Sequence, residues 1–346
     1  MLSVLRNSFI IKRSVHSFAR KSFKEISIPV PWGKIAGKWY GSTNIKPILC
    51  LHGIQDNCGS FEPLISFLDK DEKSSFLAID FPGHGYSSPY PGGTFYHFFT
   101  FLIVVKRIAD YFQWPNVSLM GHSLGAISAF TFSLLYPEKV KFLICIDALH
   151  PFETTVTAET LRKSIDLFVK YDDLKLLENE SIAYTLEEAI EKIRIGYNNA
   201  IKLEKIPILL ERNLAPSKKY PGKYYFNRDP KLKMKVMCDY PHEQVIKDAS
   251  VITRPVFVCK AKHNVYYGPK DHFHSVLDVL KKSSEDCDFH FVDGTHYLHL
   301  NDPDVVGAHI KTFLNKHHVI EDSNLNGTSL FCESQPSPLE MFTENS

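Results

Sequence analysis

The segment VSLMGHSLG, residues 117–125, leads from an apolar run through a glycine-flanked serine into a helical pattern. The run at 117–120 predicts a buried strand, and apolar residues at helical spacing begin at Leu124. A sharp strand-to-helix turn holds the serine between them in strained backbone geometry, where flanking glycines avoid collisions. The start of the helix presents free N–H groups that stabilise an anion. The segment therefore predicts a nucleophilic serine, Ser123, at the edge of a sheet.

Short apolar runs and helical patterns alternate on both sides of this turn. The predicted strands are residues 26–30, 34–40, 47–51, 75–79, 117–120, 140–146, 256–261 and 289–292. The predicted helices between and after them are residues 61–68, 95–112, 124–136, 271–282 and 305–315. Continuously apolar strands separated by helices predict an α/β fold, with a mostly parallel central sheet and helices on both faces.

The alternation stops after residue 150 and resumes near residue 246. Residues 151–245 are rich in charge, show helical patterns at 161–176 and 186–197, and lack strand patterns. The simplest organisation is one α/β core, residues 25–150 and 246–318, that carries a helical insertion at 151–245. The polar segment 319–346 is predicted to be disordered.

The overall composition limits the classes of partner. The chain has 40 Lys and Arg residues against 39 Asp and Glu residues, so its charge gives no reason to expect nucleic acid. The chain contains no run of 18 apolar residues, which predicts no membrane span. The seven cysteines are scattered singly, a pattern typical of reduced and buried thiols.

Residues 1–24 differ from the rest of the chain. They contain six Lys or Arg residues and several serines, and the first acidic residue is Glu25. A basic, serine-rich and amphipathic N-terminus is typical of a mitochondrial transit peptide. The alternative is a disordered basic tail, with the protein in the cytoplasm or the peroxisome.

The segment LHGI, residues 51–54, ends a predicted strand upstream of the serine. Gly53 allows the main chain there to approach a substrate oxygen. The oxyanion that forms when a serine attacks needs two N–H donors, one from such a loop and one from the residue after the serine. We therefore predict an oxyanion hole formed by the backbone N–H groups of Ile54 and Leu124, with His52 supporting the loop.

The segment GTHYLHL, residues 294–300, follows the last predicted strand. A serine hydroxyl becomes a good nucleophile when a base takes its proton, and histidine is the base suited to neutral pH. His296 is the predicted general base, and His299 is predicted to pack in the core. The two histidines lack a third ligand at suitable spacing, so neither a metal nor a cofactor is predicted.

These motifs in this order resemble the α/β-hydrolase superfamily. The supporting segments are LHGIQDNCGSFEPLISFL at 51–68, AIDFPGHGYSS at 78–88, GHSLGA at 121–126 and YFNRDPKL at 225–232. Over about residues 26–317 the chain is similar to the kraken or serine hydrolase-like subfamily. The resemblance implies a serine esterase with Ser123 as nucleophile, His296 as base and the helical insertion as a cap over the site.

The acid of the catalytic triad is the point at which the chain departs from the superfamily. The loop that usually supplies an aspartate, after the penultimate strand, has Asn264 in that position. An amide can hold the N–H group of an imidazole but cannot stabilise its positive charge. Some relatives take their acid from the end of the strand that follows the serine's helix, and Asp147 occupies that position here. Asp147 is therefore the predicted acid, and Asp271 is a second choice.

Two functions are consistent with these residues. The first is hydrolysis of a small-molecule carboxylic ester, or a related acyl bond, through an acyl-enzyme on Ser123 with His296 as general base. The second is a catalytically weak or inactive protein that binds a small ligand or a protein partner, an alternative motivated by Asn264. The sequence gives no prediction of oligomeric state.

Overall fold

The computed structural model describes residues 22–70, 73–151, 157–176, 182–234, 240–323 and 331–332. The predicted transit peptide, residues 1–24, therefore lies outside the described residues except for its last three positions. Its role in targeting stays a prediction.

A nine-stranded sheet forms the centre of the fold. Its strands are β1 (Phe23–Val30), β2 (Gly33–Tyr40), β3 (Ile48–Leu51), β4 (Phe76–Ile79), β5 (Val117–His122), β6 (Val140–Ile146), β9 (Val256–Ala261), β10 (Cys287–Val292) and β11 (Phe331–Cys332). Their spatial order is β10-β9-β6-β5-β3-β4-β2-β1-β11. Neighbours from β10 to β4 pair in parallel, and those from β4 to β11 pair antiparallel. The mostly parallel sheet confirms the predicted α/β class.

Helices cover both faces of this sheet. They are α1 (Glu62–Leu68), α2 (Phe98–Tyr111), α3 (Leu124–Leu135), α4 (Ala158–Leu176), α5 (Leu186–Gly196), α6 (Ile206–Asn213), α7 (His242–Ala249), α8 (Lys270–Ser283), α9 (Leu298–Asn301) and α10 (Pro303–His317). Leu49 of β3 shares one hydrophobic cluster with Phe101 of α2, whereas its neighbour Ile48 shares another with Ile310 of α10. Burial of both faces explains the continuously apolar strands. Among the described residues, no helix is long and apolar enough to cross a membrane.

The segment between β6 and α7 contains a hairpin that the sequence did not indicate. Strands β7 (Leu214–Pro216) and β8 (Tyr224–Phe226) pair antiparallel in a two-stranded sheet. Three residues are too few for an alternating pattern to be recognised, which is why only helices were expected here. Helix α7 also crosses the predicted boundary at residues 245 and 246. That this segment acts as a cap stays a prediction.

The structure differs from the expected disorder after residue 318 at the positions that it describes there. Strand β11 pairs antiparallel with the edge strand β1, and the N–H of Lys46 donates to the carbonyl oxygen of Glu321 at 2.7 Å. An edge strand offers unpaired main-chain groups to any segment that can reach it, whatever that segment's hydrophobicity. The rest of residues 319–346 lies outside the described residues.

The predicted site residues lie beyond the same edge of the sheet. Ser123 directly follows β5 and Asp147 directly follows β6. Ile54 lies three residues after β3, and His296 lies four residues after β10. The carboxyl ends of parallel strands meet at one edge, so these loops converge there.

Candidate active site

Ser123 has a backbone conformation that residues other than glycine rarely adopt. Its φ is 52° and its ψ is −120°, and its N–H donates to the carbonyl oxygen of Ile146 at 3.2 Å. A Cβ at Gly121 would lie 2.3 Å from the main chain of Gly125. A Cβ at Gly125 would lie 1.9 Å from the carbonyl oxygen of Leu51. The tight turn therefore requires both glycines, and it fixes the serine at the start of α3.

Asp147 lies against the predicted base. Its Oδ2 is 2.6 Å from Nδ1 of His296, and its side chain is fully buried. Its Oδ1 accepts hydrogen bonds from Nζ of Lys260 and from the N–H of Ala261, both at 2.7 Å. A histidine whose Nδ1–H donates to a carboxylate keeps Nε2 available to accept a proton. Asp271, the second choice, is exposed in the first turn of α8.

Asn264 lies beside the acid and the base. Its Nδ2 donates to Oδ2 of Asp147 at 2.5 Å and lies 3.2 Å from Nδ1 of His296. The amide in the usual acid position therefore coexists with a carboxylate on the neighbouring strand. Asn264 motivated the alternative of a non-catalytic protein, but the structure also places an acid, Asp147, in contact with the histidine.

Tyr267 contacts both Ser123 and His296, and sequence reasoning missed it. Its phenol interacts with the side chains of Asn264 and Ser123, and its ring centroid is 5.2 Å from that of His296. Burial raises the pKa of Tyr267 to about 12, so the phenol stays protonated near neutral pH. His122 adds a second link, because its Nε2 donates to the carbonyl oxygen of His296 at 2.9 Å. The serine and the histidine therefore belong to one contact network.

Two buried histidines hold the loop that carries Ile54. Nε2 of His52 accepts from the N–H of Phe81 at 3.0 Å, and Nε2 of His84 accepts from the N–H of Gln55 at 2.9 Å. Burial lowers the pKa of His52 to about 4, which keeps its ring neutral and able to accept. His52 thus has the supporting contacts that the sequence indicated.

Gly53 brings this loop close to the serine. A Cβ at Gly53 would lie 3.2 Å from Cβ of Ser123, so a larger residue would crowd the nucleophile. Ile54, the next residue, lines a cavity beside His296, and Leu124 is the first residue of α3. Of the two predicted oxyanion donors, Leu124 directly follows the serine, and Ile54 directly follows the glycine that approaches it.

A buried ion pair ties the segment after β4 to α6. Nη2 of Arg212 is 2.6 Å from Oδ2 of Asp80, and the two side chains are no more than 1% exposed. Asp80 also accepts from the N–H groups of Cys58 at 2.8 Å and Tyr86 at 2.9 Å. Burial alone raises the pKa of Asp80, but Arg212 outweighs it and holds the pKa below its usual value. Helix α6, which lies in the segment between β6 and α7, is thereby fixed to the core.

A cavity of about 450 Å³ opens beside His296. Ile54 and Tyr267 line it from the core, and Tyr197 and Arg228 line it from the segment between β6 and α7. Cavities of this volume hold small organic ligands. The site therefore has room for a substrate next to the histidine.

Asp56, His122 and His299 are the group that could hold a metal ion, within the part of the chain that the structure describes. Each offers one ligand atom, and these atoms lie within 4.8 Å of one another. Burial raises the pKa of Asp56 to about 7 and lowers that of His299 to about 3, so it favours the uncharged forms. The ring of His299 packs 5.0 Å from that of Phe61. Sequence spacing missed the cluster because its members come from three distant segments.

His150 gives the fold a dependence on pH. Burial lowers the pKa of His150 to about 4, whereas the unfolded chain has the ordinary value near 6.5. The unfolded state therefore binds the proton first, and stability falls as the pH drops from about 6.5 towards 4. We expect the free energy of unfolding of His150→Gln to fall by about 2 kcal/mol less than that of the wild type between pH 7 and pH 5.

Urea unfolding of both proteins at the two pH values measures this difference. His263→Gln is the matched control, because the His263 side chain is 70% exposed. Equal pH dependence in wild type and His150→Gln would show that His150 does not resist protonation in the folded state.

Comparison with known proteins places the chain in a family. Residues 46–184 match the family model described as the alpha/beta hydrolase fold. A Drosophila melanogaster protein named "Probable serine hydrolase" is 35% identical, over 85% of this chain and 88% of the relative. A "Serine hydrolase-like protein" of Danio rerio is 34% identical, over 85% of this chain and 89% of the relative. A solved hypothetical protein from Pseudomonas aeruginosa PAO1 superposes with a TM-score of 0.69 and 26% identity, covering 84% and 99% of the two chains.

The chain therefore belongs to the α/β-hydrolase family, and it is a hydrolase. Within that family it falls in the serine hydrolase-like subfamily, as the motifs at 51–68, 78–88 and 121–126 predicted.

Proposed function

We propose that this hydrolase cleaves carboxylic esters, or related acyl bonds, through an acyl-enzyme on Ser123. The observation that carries the proposal is the 2.6 Å contact between Nδ1 of His296 and the buried carboxylate of Asp147. A buried carboxylate in this position stabilises the imidazolium that forms when the histidine takes a proton. The strained turn at Ser123 and the shared contacts of Tyr267 support the same conclusion.

Acylation begins when Nε2 of His296 takes the proton of the Ser123 hydroxyl. Oγ then forms a bond to the ester carbonyl carbon, and the carbonyl oxygen becomes an oxyanion. The N–H groups of Ile54 and Leu124 donate to that oxyanion, and Asp147 stabilises the imidazolium. The bond to the alcohol oxygen then breaks, and His296 returns its proton to the leaving alcohol.

Deacylation repeats these steps with water as the nucleophile. His296 takes a proton from water, and the water oxygen bonds to the acyl carbon. The bond to Oγ then breaks, and the proton returns to Ser123. The products are a carboxylic acid and an alcohol, and the protein is regenerated without a cofactor.

The segment between β6 and α7 acts as a cap in this proposal. Tyr197 and Arg228 from that segment line the cavity beside His296. The hydroxyl of Tyr197 donates to the carbonyl oxygen of Gln55 at 2.8 Å, directly after the predicted oxyanion donor. Cap residues therefore contact both the cavity and the loop that would stabilise the oxyanion.

A panel of 4-nitrophenyl esters with acyl chains of varied length tests the proposal. We expect nitrophenol release above the buffer rate, with a maximum at one range of acyl length set by the cavity. Release no faster than in buffer for every ester would contradict it. Saturable binding of an ester without turnover would instead favour the alternative, a protein that only binds a ligand.

A further inference from the structure

The wall of the cavity beside His296 is positively charged. Arg228, Lys192 and Lys233 line it, and no Asp or Glu residue is among its described lining residues. The whole chain, by contrast, has 40 basic residues against 39 acidic ones. The excess of positive charge is therefore a property of this cavity and does not follow from the composition of the chain.

These three cations form no ion pair with any carboxylate that the structure describes. The guanidinium of Arg228 lies 5.5 Å from the ring of Phe226, and Nζ of Lys192 lies 4.8 Å from that of Tyr184. Arg228 also interacts electrostatically with buried Asp56, but no ion pair forms between them. A cation that contacts aromatic rings keeps its charge available for an anion.

Arg228 is fixed close to the reacting centre. Its Nη1 donates to the carbonyl oxygen of Gln55 at 3.1 Å, which also accepts from the hydroxyl of Tyr197. Gln55 follows Ile54, the proposed oxyanion donor, and Arg228 shares the cavity wall with His296. The guanidinium also interacts with the hydroxyl of Tyr197, but it has five N–H donors, so others are left for a ligand.

We infer that the substrate carries an anionic group, a carboxylate or one of similar charge, that binds Arg228 while the ester carbonyl meets Ser123. Lys192 and Lys233, whose side chains are exposed, attract the anion at the mouth of the cavity. The inference rests on the proposed function in one respect, that the substrate is an ester, but the anion site can be tested separately. It narrows the substrate from any acyl ester to one with a negative charge on its acyl or its alcohol side.

Two matched pairs of esters test the inference and distinguish the two sides. The acyl-side pair is the 4-nitrophenyl monoester of adipic acid and its neutral methyl ester. The alcohol-side pair is 4-acetoxybenzoate and its neutral methyl ester. The measured quantity is the ratio of kcat/KM for the anionic member to that for the neutral member, so that leaving-group differences cancel between variants.

In at least one pair, we expect the ratio to fall about 10- to 100-fold in Arg228→Gln, because a charge-assisted hydrogen bond is lost. Hydrolysis of the neutral esters should fall less than that of the anionic esters, because they lose only the bond from Arg228 to the loop that carries Ile54. The double variant Lys192→Gln/Lys233→Gln should lower the ratio by about 3-fold, and added salt should abolish that difference. Arg254→Gln is the control, because Arg254 is exposed and pairs with Glu285 outside the cavity.

An unchanged ratio in Arg228→Gln, or an equal fall for both members of each pair, would overturn the inference. Thermal unfolding of Arg228→Gln checks that it folds, and Arg228→Lys, which keeps the charge, should recover part of the ratio.

Calorimetry on the Ser123→Ala background separates the inference from the proposed function. In at least one of two pairs, monomethyl adipate against dimethyl adipate or 4-acetoxybenzoate against its methyl ester, the anionic member should bind about 10-fold or more tightly, and adding Arg228→Gln should remove the difference. If no ester is hydrolysed but this binding preference holds, the proposed function fails while the anion site stands. If esters are hydrolysed but the preference is absent from both pairs, the anion site fails alone.

Discussion

Ser123→Ala is expected to lower kcat for ester hydrolysis by about 10⁴-fold or more while the protein stays folded. The substitution removes the only atom that forms the acyl bond, so no acyl-enzyme can accumulate. Residual rate comes from binding and from the N–H groups of Ile54 and Leu124, which remain. Steady-state kinetics on the best 4-nitrophenyl ester measures the loss.

Ser128→Ala is the matched control for this variant. Ser128 lies in α3, the helix that Ser123 directly precedes. It is fully buried, and its hydroxyl donates to the carbonyl oxygen of Leu124 at 2.8 Å. We expect its kcat to stay within about 3-fold of wild type, because that hydroxyl bonds within the helix. Equal loss in the two variants would assign the effect to the helix and not to the nucleophile.

Asp147→Asn is expected to lower kcat by about 10³- to 10⁴-fold. The amide removes the charge that stabilises the imidazolium of His296, and it can hold the ring in the wrong tautomer. The same change leaves Lys260, which is 2.7 Å from the carboxylate and nearly fully buried, without its counter-ion. Removing one partner of a buried pair costs about 3–5 kcal/mol, so a stability loss accompanies the loss of rate.

The double variant Asp147→Asn/Lys260→Met separates these two effects. Removing both charges should recover most of the stability, because no buried charge is left unpaired. The rate should stay low, because His296 still lacks a carboxylate. Recovery of activity together with stability would mean that Asp147 serves the fold and not the reaction.

The turn at Ser123 could be predicted from sequence because everything that makes it is contiguous. The strand, the two glycines and the helix lie within residues 117–135, and local sterics fix the serine whatever the rest of the chain does. The parallel strands could be predicted for a similar reason, since burial on both faces leaves a continuous apolar run.

The sequence favoured Asp147 over Asp271 as the acid, but it could not show which of the two contacts His296. It depends on which strands lie side by side, and β6 pairs with β9 so that Ile146 is opposite Cys259. That register brings Asp147 to Lys260 and Asn264, whereas Asp271 lies in a helix on the surface. Asp147 follows a predicted strand and Asp271 begins a predicted helix, so either position could carry an acid. The register between distant strands determines which of them contacts His296.

Tyr267, Lys260 and Arg228 were missed as site residues for the same physical reason. Tyr267 lies in a loop without regular structure, and its contacts with Ser123 and His296 span more than 140 and about 30 residues of chain. Arg228 belongs to the motif at residues 225–232, which supported the family resemblance but gave no indication of a cavity. Arg228 reaches the cavity wall from the segment between β6 and α7, whereas Lys260 and Tyr267 reach the site from β9 and from the loop after it.

The most direct test of the account is the site at which a fluorophosphonate probe attaches to the intact protein. The probe forms a stable bond with a serine hydroxyl only when a neighbouring base activates it. We expect one adduct, mapped by peptide mass spectrometry to Ser123, that is abolished in Ser123→Ala and strongly slowed in Asp147→Asn. An unlabelled wild-type protein, or an adduct on another serine with Ser123 unmodified, would contradict it.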